Sequence, residues 1–265
     1  MMAASLIPED AQLVPTWTRT LNEEDATVLL DLAQPGMSVD AWHEQGHAIL
    51  PQPSLPRRRE QLRIVREELL DHDGQKILDS RFLRLFHGSS PHRRRTLFLG
   101  RLLRNRPIVS LALDHLVHPA LIRAETPLAV EDADLICSAD WDALLYQHLP
   151  AGTGEPAFLK TRSTLQRALG DAGVLDIAGN TTRTTRVCRG RPDPLAYAWL
   201  IAHELRCTSR TEAPEVWALH HAFPARLFAP SAEYAAVCVD AGVGEGILRR
   251  GYLAGEPRLH PGEDV

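Results

Sequence analysis

The chain lacks the features by which membrane, secreted and disulfide-rich proteins are usually recognised. None of its apolar runs approaches the roughly 18 residues that span a bilayer. Residues 1–15 combine neither a basic start nor a long apolar core, so we expect no signal peptide. The four cysteines are far apart and form no CxxC pair, which is typical of a reduced, cytoplasmic protein. With 44% hydrophobic and 24% charged residues, the 265-residue chain has an ordinary globular composition.

Sequence signatures of common catalytic sites are also missing. The chain contains no G-x-S-x-G motif, no Walker A loop and no G-x-G-x-x-G motif following a strand. We therefore expect a protein without catalysis and without a cofactor.

A single segment matches a catalytic pattern, the H-E-x-x-H motif of zinc peptidases. His43, Glu44 and His47 form it, and Glu67 follows at a spacing suitable for a third ligand. Gly46 disfavours a rigid helix inside the motif, and arginines follow closely. A zinc metallopeptidase is therefore kept as an alternative hypothesis, and no metal is expected.

Arginine is concentrated in two segments of the chain. The net charge is −5, yet residues 57–106 contain 14 Lys/Arg against 6 Asp/Glu, and residues 150–191 contain 7 against 3. The runs Arg57–Arg59 and Arg93–Arg95 have almost no acidic neighbours in the sequence. Because such clusters displace counterions from phosphate backbones, they predict a polyanionic partner. The alternative is a solvated, salt-bridged helix face.

Hydrophobic periodicity predicts a mainly helical, all-α protein with one small β-hairpin and no fixed-period repeat. We predict three segments: an N-terminal helical domain (1–125), a winged-helix-like domain (126–192) and a C-terminal helical domain (193–265). Helices at 38–50 and 56–70 resemble a helix-turn-helix unit. Residues 130–148 and 244–250 are predicted to be helical, and the hairpin is predicted at 174–188.

The helix from about Pro156 to Ala172, followed at once by the hairpin, has the order of the back half of a winged helix. Such a helix enters the major groove of double-stranded DNA while the hairpin contacts the backbone. Arg162 falls beside the apolar face and is predicted to form a structural ion pair. The predicted DNA-binding residues are Arg57, Arg58, Arg59, Arg63, Arg93, Arg94, Arg95, Lys160, Ser163, Thr164, Arg167, Arg183 and Arg186. A protein-assembly scaffold without DNA binding is the other alternative.

Several stretches together carry a resemblance to a known family. They are the helix at 38–50 followed by SLPRRR, then RPIVSLALDHLVHPAL, PLAVEDADLI, TRSTLQRALGDAGVL and AGVGEGILRRGYLAG. Over about residues 20–250 the chain resembles the BrxA proteins of BREX phage-exclusion systems. The resemblance implies a helical, helix-turn-helix protein that binds DNA without known catalysis and works beside the other proteins of a phage-defence system. This chain is longer at both ends and has the additional proline-rich turn at 51–56.

Overall fold

The structure, a computed structural model, describes residue 21 and residues 23–126, 132–150, 152–176 and 184–263. The protein is mainly helical, as the sequence predicts. The helices of the described part are α1 (Glu23–Leu32), α2 (Val39–Ile49), α3 (Leu55–Ile64), α4 (Arg81–Phe86), α5 (Pro91–Arg104), α6 (Pro107–Ala112), α7 (His118–Ala124), α8 (Ser138–His148), α9 (Glu155–Asp171), α10 (Pro194–Cys207), α11 (Glu215–His220), α12 (Phe223–Phe228) and α13 (Ala232–Gly244). Single π-helical turns at Val65–Leu69 and Leu113–Val117 continue α3 and join α6 to α7.

Two small antiparallel sheets complete the described part of the chain. Their strands are β1 (Leu135–Cys137), β2 (Leu175–Asp176), β3 (Thr184–Val187), β4 (Ala213–Pro214), β5 (Leu248–Leu253) and β6 (Glu256–Pro261). The strand orders are β1-β3-β2 and β4-β6-β5, so the last strand in sequence is central in each sheet. Within the described ranges, no helix is long and apolar enough to cross a membrane.

Short polar residues fix where several helices begin. The side chains of Ser38, Ser80, Asp193 and Ser231 each accept a hydrogen bond from a backbone N–H of the first helical turn. These N–H groups have no partner inside the helix, so a capping side chain stabilises each start by about 1 kcal/mol.

The chain divides into two compact units. Unit 1 comprises the described residues within 103–190 together with Leu227–Ala229, and unit 2 comprises those within 21–102, 191–226 and 230–263. These limits differ from the predicted three segments, because residues 103–125 belong with the central segment. Residues 193–226 similarly belong with residues 21–102.

In unit 1 the sheet contains one strand more than predicted. The β2–β3 pairing confirms a hairpin within 174–188, of which residues 177–183 lie outside the described residues. Residues 135–137, predicted to be helical, instead form β1, which pairs with β3. Helix α8 starts only at Ser138, where the Asp140 carboxylate accepts a hydrogen bond from the Cys137 N–H at 2.9 Å.

In unit 2 the second sheet was not predicted at all. The helix expected at 244–250 is wrong, because α13 ends at Gly244 and residues from 248 onward form β5. Gly246, at φ +68°, turns the chain out of the helix. Ala254 and Gly255, both at positive φ, then form the tight turn between β5 and β6, a geometry that suits a two-residue hairpin loop.

Candidate nucleic-acid interface

The solvent-facing side of α9 brings together three of the predicted DNA-binding residues. Lys160, Ser163 and Arg167 are all exposed, and their spacing of three and four residues places them on one side of the helix. Among the described residues, neither Lys160 nor Arg167 has a carboxylate within 4 Å. Both cations are therefore available to a ligand from solution.

The opposite side of α9 packs into the core of unit 1. Phe158, Leu165 and Leu169 are buried there, as the sequence predicts. Thr164 is buried as well, with 6% of its surface exposed. Its prediction as a DNA-contacting residue is therefore wrong, because Thr164 lies about one helical turn after buried Thr161 and shares its core-facing side.

Arg162 lies at the border between these two sides. Its guanidinium Nη1 donates to Asp142 Oδ1 on α8 at 2.7 Å, which confirms the predicted structural ion pair. The pair joins α8 to α9 and holds the exposed face of α9 in place.

Unlike the two cations of α9, Arg186 and Arg189 of the hairpin region form ion pairs with carboxylates. Arg186 on β3 forms an ion pair with Asp134 at 3.0 Å, although 57% of its side chain remains exposed. Arg189 binds Glu125 through two hydrogen bonds of 2.6 and 2.7 Å. Arg183 lies outside the described residues. Sequence reasoning missed Asp134, since it placed the segment before α8 in a helix.

The rings of two histidines of unit 1 are neighbours: His115 lies in the π-helical turn between α6 and α7, and His148 is the last residue of α8. The rings of His115 and His148 lie 6.1 Å apart. Burial and then the neighbouring His115 lower the pKa of His148 below its usual value. Since that usual value is about 6.5, His148 is neutral at physiological pH.

In unit 2, folding pairs the second arginine run with carboxylates. Arg93 binds Asp193 at 2.9 Å, Arg94 binds Asp31 at 2.8 Å and Arg95 binds Glu23 at 2.9 Å. The expectation that the Arg93–Arg95 run lacks acidic partners is therefore wrong. The partners are 63 to 100 residues away along the chain, beyond the reach of a local sequence pattern.

The first arginine run is only partly engaged. Arg58 donates to the backbone carbonyls of Gln52 and His47 and so fixes the connection between α2 and α3. Arg63 forms ion pairs with Glu60 and Glu67 on its own helix. Arg57 and Arg59 are exposed, and no described carboxylate lies within 4 Å of either.

The H-E-x-x-H segment lies in α2, which confirms the helix predicted at 38–50. A side chain at position 46 would meet Leu62 and Leu29, so the glycine allows α2 to pack closely against its neighbours. The rings of His43 and His47 are 4.7 Å apart. Within the described part, no third His, Cys, Asp or Glu joins them in a group that could hold a metal ion. Glu67 is bound by Arg63 at 2.5 Å and Arg66 at 3.1 Å.

Comparison of the chain with known proteins gives no relative from which a function could be transferred. No protein-family model, no curated protein and no solved structure matches it. The resemblance to the BrxA family stays a prediction from the sequence stretches given above.

Proposed function

We propose that unit 1 contains a winged helix that binds double-stranded DNA through the exposed face of α9, without catalysis. The order β1, α8, α9, β2, β3 and the sheet order β1-β3-β2 support this proposal, because a winged helix has the same succession and the same central strand. In that arrangement α9 is the helix that enters the major groove.

The charges on α9 are the observation that carries the proposal. Lys160 and Arg167 are separated by seven residues, about 10 Å along the helix axis at 1.5 Å per residue. Two cations at this distance can contact two phosphates. The Ser163 hydroxyl lies between them and donates to the Lys160 carbonyl at 3.0 Å, so its oxygen remains an acceptor. Since no described carboxylate pairs with either cation, binding a phosphate breaks no internal ion pair.

The protein is further proposed to act as the DNA-binding component of a BREX-like phage-defence system, in contact with other proteins of that system. Support comes from the sequence resemblance, which includes the α9 stretch TRSTLQRALGDAGVL. Because the contacts proposed here are mainly to phosphates, the binding should tolerate many DNA sequences.

The proposal predicts duplex binding that weakens steeply with salt. If Lys160 and Arg167, which have no described carboxylate within 4 Å, neutralise about 2 phosphates, log K should fall against log salt with a slope of about −2. Fluorescence anisotropy with two labelled duplexes of unrelated sequence measures this slope. Equal slopes for both duplexes are expected. A slope near zero, or no binding at about 50 mM salt, would contradict the proposal and favour the protein-assembly scaffold.

A further inference from the structure

The fold of the first sheet recurs in unit 2. We call β1, α8, α9, β2 and β3 the first repeat, and β4, α11, α13, β5 and β6 the second repeat. In each repeat a short strand precedes two helices and an antiparallel pair of strands, and the third strand is central in the sheet. The helix α12 is an addition between α11 and α13.

The two repeats can be aligned residue by residue at the ends of α9 and α13. Each helix is followed by a glycine at positive φ, Gly173 at +80° and Gly246 at +68°, which lie 73 residues apart. The next residue in each case donates to a carbonyl five residues back. In the first repeat the Val174 N–H donates to the Leu169 carbonyl at 3.1 Å. In the second repeat the Ile247 N–H donates to the Gly242 carbonyl at 2.9 Å.

The same shift of 73 residues also pairs buried residues at two positions near the helix end. Buried Leu165 corresponds to buried Cys238, and the first strand residue after the helix is a buried leucine in both repeats, Leu175 and Leu248. The alignment therefore holds at these positions around the end of the helix, whereas buried Thr164 corresponds to Val237, which is 55% exposed.

At the solvent-facing positions, this alignment reverses the charge. Lys160 corresponds to Glu233 and Arg167 corresponds to Asp240, and both acidic residues are exposed. The second repeat thus carries acids at both positions where the first repeat carries its two cations.

The hairpin of the second repeat is neutralised as well. Arg250 binds Glu215 through two hydrogen bonds of 2.7 Å and Asp240 through a third of 2.7 Å, so this cluster of three charges is net negative. Arg249 binds Glu263 at 3.0 Å, and Arg258 lies 3.9 Å from Glu212. Each arginine of β5 and β6 is therefore held by a carboxylate.

We infer that Glu233 and Asp240 are specificity-determining residues that keep duplex DNA off the second repeat. This inference rests on the proposed function of α9. Carboxylates at the two phosphate-facing positions repel the DNA backbone. Such a repulsive contact lowers the affinity of the second repeat for DNA and so contributes to specificity. Each chain then presents a single DNA-binding helix although it contains two copies of the fold.

The test reproduces the α9 charges on α13 in the full-length protein. The variant Glu233→Lys with Asp240→Arg should bind duplex DNA about tenfold more tightly than the natural chain, with a salt slope steeper by about 2, since two phosphate contacts are added. The same pair placed in a Lys160→Glu, Arg167→Glu background should restore binding that this background has lost. Anisotropy with one duplex and a thermal melt are measured for all four chains.

The outcomes separate the two claims. If the natural chain binds through Lys160 and Arg167 but the α13 variant binds no better, the inference is overturned and the proposed function stands. If only the α13 variant binds, the α9 site is overturned and the role of the two acids is supported. Should the α13 variant not fold, Glu233→Gln with Asp240→Asn provides a second test, because it removes both negative charges with little change in side-chain size. Its expected gain is about threefold, and no gain would overturn the inference.

Discussion

Replacing Lys160 and Arg167 with glutamate is expected to lower the affinity for duplex DNA by about 2–4 kcal/mol, roughly 30-fold to 1000-fold. Each reversal turns an attraction to phosphate into a repulsion. Both side chains are exposed and have no described carboxylate within 4 Å, so the melting temperature should stay unchanged. Anisotropy and a thermal melt on the same preparations measure both quantities.

Arg162→Glu is the matched control on the same helix. It places a carboxylate against Asp142, at a contact that now measures 2.7 Å between α8 and α9. We expect this variant to lose stability. Its folded fraction should still bind DNA with the affinity of the natural chain, so any loss of binding should match the fraction that is unfolded. If the Lys160/Arg167 variant melts normally and still binds DNA like the natural chain, α9 is not part of the DNA interface. Arg57 and Arg59, which are predicted DNA-binding residues, are exposed and have no described carboxylate within 4 Å, would then be tested next.

Asp71→Ala is expected to destabilise the protein by about 2–4 kcal/mol. Asp71 lies within the arginine-rich segment 57–106, which the sequence predicts to bind DNA. Its carboxylate binds Arg101 through two hydrogen bonds of 2.7 and 3.1 Å. The Arg101 side chain is only 10% exposed and lies over the rings of Phe82 and Trp199. Removing the carboxylate leaves a buried guanidinium without its counter-charge. Urea unfolding at neutral pH measures the loss.

The pKa of Asp71 shows the same coupling. Burial acts to raise it, but the hydrogen bonds and the charge of Arg101 outweigh burial and lower it below its usual value. This stabilisation is therefore present above about pH 4 and is lost as the pH falls through the lowered value.

Asp79→Ala is the control for a surface ion pair. Asp79 is 60% exposed and lies 3.8 Å from Arg84, which is 46% exposed. Exposed pairs contribute little, so the change should be within about 0.5 kcal/mol. If Asp71→Ala and Asp79→Ala lower the free energy of unfolding equally, the Asp71–Arg101 pair contributes no more than an exposed ion pair.

Periodicity in the sequence predicted much of the fold of unit 1. The spacing of Phe158, Leu165 and Leu169 placed α9 and its buried side correctly, and it also identified Arg162 as an ion-pair residue. The β-branched stretch after Gly173 predicted β3. These features depend on residues within a few turns of each other, which is the range that periodicity reports.

Features that depend on distant residues were not predictable in the same way. A count of charges cannot show that Arg93 meets Asp193, because that pair forms only when α5 packs beside the start of α10. Strand β1 is three residues long and β4 is two, so neither carries a pattern of its own. The second repeat stayed hidden because its residues align with the first through hydrogen bonding and burial, while its exposed residues differ.

The most direct test of the central claim is a photocrosslink from position 163. A photoreactive phenylalanine analogue replaces Ser163, which lies between Lys160 and Arg167 on the exposed face of α9. The same analogue at Val237, on α13, is the control. With the duplex bound at low salt, the account predicts a protein–DNA crosslink from position 163 and none from position 237. Binding without a crosslink from position 163, or equal crosslinking from both positions, would contradict the account.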